Sequence, residues 1–287
     1  MIIFKYFFEF LIISIFFLLF KLIGLKASSY ISGKITNLIG PLFRSKKIIK
    51  NNLNKAFPNI TNIEIEKISK NMWNNYGRIL SEYMFLKKFR SPGFNKNLKI
   101  EGQEILDKIK LSKEPVVFIS GHFSNYELMT MQIDKSGIDV AAIYRPLNNV
   151  FMKMLQDTIR EKYICKNYIK KGMSGVRQLL SLFKNGHSIA VMIDQRVREG
   201  TKIKFFKNDA YTTTIPAQFV KKFNCNIIPI YIERTHGINF KMKIYDPLRF
   251  KPEDTIEKIT LELNIWLEKM ILNKPEQWIW THNRWKQ

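Results

Sequence analysis

Cysteine is scarce in this chain of 287 residues, which contains two, Cys165 and Cys225. Two cysteines without a pattern offer neither a disulfide framework nor the spacing of a zinc site. The histidines His187, His236 and His282 also lack metal-ligand spacing with acidic residues, so we interpret them as structural. The sequence therefore indicates a reducing compartment and implies no metal and no organic cofactor.

Acidic residues are also in short supply. The chain has 24 Asp and Glu against 47 Lys and Arg, which gives a formal net charge of +23 at pH 7. A positive field of this size favours anionic partners, namely phospholipid head groups, nucleic acid or an acidic carrier protein. Because 46% of the residues are hydrophobic, the chain is long enough for one sizeable core with an appendage.

Charge is nearly missing from the first 25 residues, where Lys5, Glu9 and Lys21 alone interrupt an apolar run. The run approaches the ~20 residues that a bilayer core requires. No small-residue cleavage site follows, so we do not expect a removable signal peptide. Residues 1–25 are predicted to be a membrane anchor, spanning or half-sunk, although Glu9 also suits a buried or interfacial helix. The basic residues 44–50 (RSKKIIK) predict that the rest lies on the cytoplasmic side.

The remaining chain divides at a Pro- and Gly-containing break, RSPGFN, that ends at residue 95. Residues 26–95 are predicted to be helical because apolar side chains recur there at helical spacing. Residues 96–287 alternate strands with helices, which predicts an α/β fold whose mixed, partly parallel sheet is flanked by helices. The last two strands are predicted to form a hairpin. The predicted strands are 98–100, 116–120, 140–144, 189–193, 227–233 and 240–245.

The segment VVFISGHFSNYELM, residues 116–129, places a histidine and an acid where a strand gives way to a helix. Ligands of α/β sheets bind beyond the carboxyl ends of strands, which is where His122 falls. In a functional interpretation His122 takes a proton from a hydroxyl, and Glu127 fixes the tautomer of the ring. In a structural interpretation the helix begins near Ser124, and Ser124 and Glu127 form a capping box.

The chain lacks a G-x-S-x-G elbow, so a covalent serine route has no support. Direct transfer to an acceptor alcohol is the simpler scheme. A second polar pair, Asp194 and Gln195, follows the apolar run IAVMI and is also expected at a carboxyl end. The alternative for Asp194 is a helix cap or a turn acid.

The segment GHFSNYEL resembles the His–four residues–acid block of the lysophospholipid acyltransferase superfamily. Its Asn125 and Glu127 make it most similar to the late acyltransferases of lipid A biosynthesis, the lauroyl and myristoyl type. Further blocks resemble that family in the same order over nearly the whole chain, and this order carries the resemblance. They are RSKKIIKNNLNKAFPN (44–59), YRPLNN (144–149), GHSIAVMIDQRV (186–197), IKFFKNDAYTTTIPAQFV (203–220) and PEQWIWTHNRWK (275–286).

The sequence departs from the family pattern at three positions. Lys207 stands where the family usually has Gly, Pro216 precedes Ala217 where a small residue is common, and Tyr126 replaces a frequent Trp. These differences bear on the shape of the acyl pocket, and so on chain length, more than on the chemistry.

The resemblance implies an acyltransferase that moves a fatty acyl group from acyl carrier protein to a hydroxyl of a lipid A precursor. His122 would be the general base with Glu127 beside it, and backbone N–H groups near Asn125 would stabilise the oxyanion. It further implies a bacterial inner-membrane protein with its catalytic domain, residues 96–287, on the cytoplasmic face.

Five residues are expected to contact substrate. The arginines suit phosphate because a guanidinium can donate two parallel hydrogen bonds, although a lone arginine is commonly an exposed surface charge. Asp194 and Gln195 are expected at the acceptor. The five expected substrate-binding residues are Asn125, Arg145, Arg160, Asp194 and Gln195.

Three other interpretations stay open. The same chemistry can serve another lipid acceptor, such as a lysophospholipid or an aminolipid, and the fold can also serve a membrane-surface protein that does not turn over. The tail residues Trp278, Trp280 and Trp285 can stack on nucleic-acid bases, lie in a membrane interface or pack in the core. Core packing is the default, and nucleic acid is the least favoured partner because an apolar N-terminus accompanies dispersed charge.

Overall fold

A computed structural model describes residues 2–286 of the chain, which form ten α-helices and nine β-strands. The helices are α1 Ile2–Phe43, α2 Lys46–Ala56, α3 Asn62–Glu82, α4 Leu86–Arg90, α5 Gln103–Ser112, α6 Glu127–Lys135, α7 Val150–Tyr163, α8 Met173–Lys184, α9 Ile215–Phe223 and α10 Ile256–Asn273. The strands are β1 Leu98–Glu101, β2 Val117–Ser120, β3 Val140–Tyr144, β4 Asn167–Lys170, β5 Ser188–Met192, β6 Thr201–Phe205, β7 Asn208–Thr212, β8 Ile227–His236 and β9 Asn239–Ile244.

Seven strands form one sheet in the order β1-β9-β8-β2-β5-β3-β4, and β6 and β7 form a separate hairpin. The five strands from β8 to β4 are mutually parallel. β9 is antiparallel to β8 and parallel to β1, so β1 and β9 run opposite to the other five. The sheet is therefore mixed and mostly parallel, and helices flank it, as the sequence predicts.

The centre of the sheet is apolar because its strands are covered on both faces. All four residues of β2, VFIS, are buried, as parallel strands between helical layers require. Each of the six predicted strands is confirmed, and β8 and β9 form the predicted hairpin. Strand β4 and the β6–β7 hairpin were not predicted.

Helix α1 is two helical segments joined at Gly24, whose φ of 81° and ψ of 167° are not helical. Glycine tolerates this positive φ without strain. Before Gly24 the helix is apolar and exposed; an 18-residue window has a mean hydropathy of 2.4, and 6% of it is buried. Within residues 2–286 this is the one helix long and apolar enough to cross a membrane by length and composition.

Beyond Gly24, α1 packs closely against α3. Ser29 and Ser32 of α1 are buried, and the Ser32 hydroxyl donates to the carbonyl of Gly77 over 2.7 Å. A side chain at Gly77 would collide with Ser32 and Thr36, so a glycine is needed at this crossing. A Thr61–Glu64 capping box starts α3, whose apolar face turns towards the core. The second segment of α1 is thus part of the protein core.

The C-terminal tail completes the core. Trp278, Trp280 and Trp285 are all buried, which confirms core packing for the three tryptophans. The indole of Trp285 donates to the carbonyl of Phe205, and the guanidinium of the fully buried Arg284 donates to Tyr211 and Thr212. The tail therefore fastens the β6–β7 hairpin to the domain.

Candidate active site

His122 and Asp194 follow two adjacent strands at the same edge of the sheet. β2 ends at Ser120 and β5 ends at Met192, and each polar residue comes two positions later. The two strands are parallel neighbours in which Ser120 pairs with Met192. Equivalent positions beyond their carboxyl ends therefore lie side by side, although His122 and Asp194 are far apart in sequence.

The two side chains form a hydrogen-bonded pair. His122 Nδ1 lies 2.7 Å from Asp194 Oδ1, and the backbone N–H of His122 donates to Asp194 Oδ2 over 2.8 Å. The indole N–H of Trp278 donates to the same Oδ2, also over 2.8 Å. Because three donors surround the carboxylate, its orientation towards the ring is fixed.

The pKa values of His122 and Asp194 are shifted in opposite directions by their interaction. Burial by itself lowers the pKa of His122, but the charge of Asp194 and its hydrogen bond raise that pKa above the usual 6.5. Burial raises the pKa of Asp194, yet His122 and the indole of Trp278 hold it at about 2. Asp194 is thus ionised at neutral pH and accepts a hydrogen bond from Nδ1–H, which leaves Nε2 as the basic nitrogen of the neutral ring.

The imidazole remains accessible while its partner is enclosed. The side chain of His122 is 18% exposed and that of Asp194 is 2% exposed. The ring of Tyr126 packs edge-on against the imidazole, with 4.7 Å between ring centroids. The amide nitrogen of Gln195 lies 3.4 Å from His122 Nε2. The imidazole is therefore partly open to solvent, with the polar amide of Gln195 beside Nε2.

Glu127 has a different partner from the one predicted. Its Oε1 accepts hydrogen bonds from Arg160 Nη2 over 2.5 Å and from Arg160 Nε over 3.2 Å, and Tyr168 donates to its Oε2 over 3.3 Å. The prediction that Glu127 orients the ring of His122 is wrong, because Asp194 occupies Nδ1. Glu127 still acts on the ring through space, since its charge contributes to the raised pKa of His122.

Arg160 is buried beside two tyrosine rings that pack edge-on against each other. Its guanidinium lies 5.4 Å from the ring centroid of Tyr144 and 5.1 Å from that of Tyr168. The same group makes the two hydrogen bonds to Glu127, and the side chain is 9% exposed. The structure therefore does not support the predicted phosphate contact of Arg160; its forked donor face holds Glu127 instead.

The loop between His122 and α6 also differs from the prediction. Helix α6 begins at Glu127 and Ser124 has a positive φ of 43°, so the predicted capping box of Ser124 and Glu127 is wrong. Within residues 2–286 the buried Ser124 hydroxyl has no hydrogen-bond partner. Asn125 is buried too, and its side-chain amide donates to Glu82 Oε2 over 3.0 Å. The side-chain amide of Asn125 thus holds the loop to α3.

The chain matches the sequence model of the family described as bacterial lipid A biosynthesis acyltransferase over residues 1–287. It belongs to this family. The chain is therefore an acyltransferase of lipid A biosynthesis, as the motif order predicts.

Among curated relatives, the lipid A biosynthesis palmitoleoyltransferase of Escherichia coli K12 is 24% identical over 251 residues, which cover 85% of this chain and 80% of that protein. The lauroyltransferase of the same organism is 24% identical over 249 residues, 85% of this chain and 79% of its own length. The myristoyltransferase of Escherichia coli K12 is 20% identical over 255 residues, which cover 86% of this chain and 76% of that protein. Since relatives named for three acyl groups match similarly, the likeness does not select a chain length.

A solved structure, that of the 1-acyl-sn-glycerophosphate acyltransferase from Thermotoga maritima, is also similar. It is 15% identical, covers 89% of this chain and 100% of its own, and has a TM-score of 0.42.

Two arginines of this lipid A acyltransferase are expected to bind phosphate. Arg160 is buried, whereas Arg145 is exposed. It lies on the loop between β3 and α7, and no hydrogen bond or ion pair of its guanidinium is found within residues 2–286. The loop leaves the same sheet edge as His122 because β3 is parallel to β5. Arg145 therefore follows a strand end at the same edge of the sheet as His122 and has no side-chain partner among the described residues.

Sequence reasoning missed a buried ion pair behind the site of the lipid A acyltransferase. The two Arg234 amino groups donate to Glu82 over 2.6 and 2.9 Å, and both side chains are buried. Glu82 also accepts hydrogen bonds from Ser29 and Asn125. The pair joins α1, α3, β8 and the His122 loop, and no local motif marks it because its members lie far apart in sequence.

Proposed function

We propose that this lipid A acyltransferase transfers a fatty acyl group from acyl carrier protein to a hydroxyl of a lipid A precursor, with His122 as general base and Asp194 as the residue that positions it. Family membership supports the acceptor class. The observation that carries the mechanism is the bond between Nδ1 of a partly exposed His122 and a buried carboxylate. The donor is proposed because the chain carries a net charge of +23, which suits an acidic carrier.

In the proposed reaction the acceptor hydroxyl binds beside His122 Nε2. As the hydroxyl oxygen attacks the thioester carbonyl carbon, Nε2 takes its proton and the new C–O bond forms. The tetrahedral intermediate then collapses, the C–S bond breaks, and the imidazolium returns the proton to the leaving thiolate. Asp194 stabilises the imidazolium between these steps because it stays ionised beside Nδ1.

The start of α6 supplies donors for the developing oxyanion. The backbone N–H groups of Asn125, Tyr126 and Glu127 precede the first hydrogen-bonded turn, and within residues 2–286 they donate to no other group. The first N–H groups of a helix carry partial positive charge, so they stabilise negative oxygen. Arg160 supports this role because it fixes Glu127, the first residue of α6.

The apolar first segment of α1 supports a location at the bacterial inner membrane. The acceptor is a lipid, and an exposed apolar helix of this length partitions into a bilayer. The basic residues 44–50 that follow favour the cytoplasmic face for the α/β domain. The positive surface further predicts that added salt weakens the encounter with the carrier.

The test is mass spectrometry of a tetra-acylated lipid A precursor incubated with the purified protein and several acyl carrier protein donors. We expect the mass of one acyl chain to be added, and we expect His122→Ala to abolish it while the variant stays folded and membrane-bound. If the protein acylates a lysophospholipid or an aminolipid but not the lipid A precursor, the proposed acceptor is wrong. Transfer at the wild-type rate by His122→Ala would refute the mechanism.

A further inference from the structure

The first turns of α1 are docked on the catalytic domain. The side-chain amide of Asn149 donates to the carbonyl of Tyr6 over 2.9 Å and to Glu9 Oε2 over 3.1 Å. Beside these bonds, the ring of Phe151 packs against two rings of α1, those of Phe7 and Phe10, with centroids 5.6 and 5.8 Å apart. The start of the chain is therefore held at the loop that leads from β3 into α7.

The docking residue is fixed from both sides. Asn149 is the N-cap of α7, and its Oδ1 accepts from the backbone N–H groups of Phe151 and Met152. This cap orients the amide so that Nδ2 points to α1. Because one side chain caps α7 and binds α1, the two helices are joined as one unit.

The other end of α1 is fastened as well. Past the bend at Gly24, Ser29 donates to the buried Glu82 over 2.7 Å, and Glu82 binds Asn125 of the His122 loop. The apolar segment before Gly24 thus runs between two attachments to one domain. The first attachment lies on the loop beyond β3, and the second lies on α3, where Glu82 also accepts the hydrogen bond from Asn125 of the loop beyond β2.

This double attachment decides how the segment meets a bilayer. Seventeen residues separate Phe7 from Gly24, which is about 25 Å of helix, close to the ~30 Å of a hydrocarbon core. If the segment crossed the bilayer, Asn149 and the β3–α7 loop would lie near the far leaflet. That loop carries the exposed Arg145 and Asn148, and an irregular polar loop facing lipid is not tolerated there.

We propose that the first segment of α1 does not cross the membrane, and that it forms with the start of α7 a single lipid-contacting surface embedded in one leaflet. The α7 side contributes the exposed Leu147 on the preceding loop and the exposed Val150 and Met154, which are four residues apart on one face of α7. The α1 side contributes residues such as Phe4 and Phe8. This inference rests on the membrane association proposed above.

The embedded surface adjoins the candidate active site. α7 follows the loop that leaves β3 at Tyr144, and Tyr144 packs on Arg160 at the site. A lipid acceptor in the same leaflet therefore reaches His122 sideways from the membrane. The exposed Arg145 on this loop then lies at the level of the head groups, where it can meet a phosphate.

The test measures topology without measuring acyl transfer. Single cysteines replace Phe4, Met154 and Met173, three exposed residues, in full-length protein with Cys165 and Cys225 changed to Ala. Each is labelled with the fluorophore NBD, and the protein is bound to the outside of sealed phosphatidylethanolamine–phosphatidylglycerol vesicles. Dithionite, which cannot cross the bilayer, is then added.

We expect dithionite to abolish all three signals before detergent is added. We also expect blue-shifted emission for NBD at positions 4 and 154 and water-like emission at 173, on α8. A position 4 signal that survives until detergent would show that α1 crosses the bilayer and would overturn the proposal. Water-like emission at position 154 would overturn the shared surface. Neither outcome depends on the identity of the acyl acceptor. A failure of this topology proposal is therefore distinguishable from a failure of the proposed acyl transfer.

A cross-linking pair tests whether docking persists in the bilayer. In vesicles a short bifunctional thiol reagent should join Phe7→Cys to Phe151→Cys in the same background. Asn149→Asp keeps the capping oxygens of α7 but loses the donor to α1 and adds a charge beside Glu9, so it should lose most of the product. Absence of the product in vesicles would refute the docked arrangement.

Discussion

Nδ1 of His122 lies 2.7 Å from Oδ1 of Asp194, across a separation of 72 residues in the sequence. The contact exists because β2 and β5 are adjacent and parallel, so the residues beyond their ends meet. A buried carboxylate with a pKa of about 2 beside a partly exposed imidazole is an arrangement in which the ring acts as base and the acid stays ionised. Glu127, at the start of α6, and Arg160 of α7 bind each other, and both charges act on His122.

Asp194→Asn should reduce the acyl transfer rate by about 10³–10⁴-fold, because an amide can hold His122 in the wrong tautomer and cannot stabilise the imidazolium. The measurement is kcat with saturating acceptor. Asp209→Asn is the control, since Asp209 is a half-exposed surface residue that pairs with Lys204. Equal activity of both variants would show that Asp194 does not position the base.

The pH profile should report the raised pKa of His122. A general base must be unprotonated, so kcat/KM should rise with pH and reach half its plateau above pH 6.5. In Asp194→Asn the charge that raises this pKa is gone, so the midpoint of the residual activity should move to lower pH. A wild-type midpoint below 6.5 would contradict the electrostatics of the pair.

The sequence predicted His122 and Asp194 at strand ends but paired His122 with Glu127. Glu127 is five residues away in the chain, whereas Asp194 becomes a neighbour through the strand order of the sheet, which one sequence does not reveal. The direction of Glu127 was also unpredictable, because it depends on Arg160 from α7 and Tyr168 from β4.

The missed strands have physical reasons too. β4 is NYIK, four residues with one apolar position buried, which gives almost no alternation to read. The β6–β7 hairpin turns at Phe206 and Lys207, which adopt φ values of 47° and 60° without a glycine. The usual glycine signal of such a turn is therefore absent. Elements with long apolar runs, such as β2 and β8, were predictable because burial alone specifies them.

Trp278→Phe should lower kcat about 10-fold or more, since a hydrogen bond to a charged group contributes roughly 1.5–3 kcal/mol. Without the indole donor, Asp194 should bind His122 more strongly, so the acid limb of the pH profile should move to higher pH. Trp280→Phe is the matched control because its indole N–H donates to the carbonyl of Pro275 instead. If both variants lose activity and the acid limb of the pH profile moves in neither, Trp278 contributes through packing and not through its hydrogen bond to Asp194.

Arg160→Lys should reduce activity about 10-fold, because lysine replaces two charge-assisted hydrogen bonds with one and loses the contact of the guanidinium with the rings of Tyr144 and Tyr168. The start of α6 would then be less well fixed beside His122. The exposed Arg177 provides the control Arg177→Lys, which should keep wild-type kcat and KM. If Arg160→Lys raises KM for the acceptor with kcat unchanged, Arg160 binds substrate, and the role inferred from its contact with Glu127 is wrong.

Glu82→Gln should destabilise the protein, because it leaves the buried Arg234 without its counter-charge. Breaking a buried ion pair by removing one partner typically costs about 3–5 kcal/mol in the free energy of unfolding. Glu101→Gln is the control, since Glu101 pairs with Lys241 at a more exposed position and should change the unfolding midpoint little. The measurement is thermal unfolding of the full chain in detergent. Equal midpoints for the two variants would show that the Glu82–Arg234 pair does not hold α1, α3 and the His122 loop together.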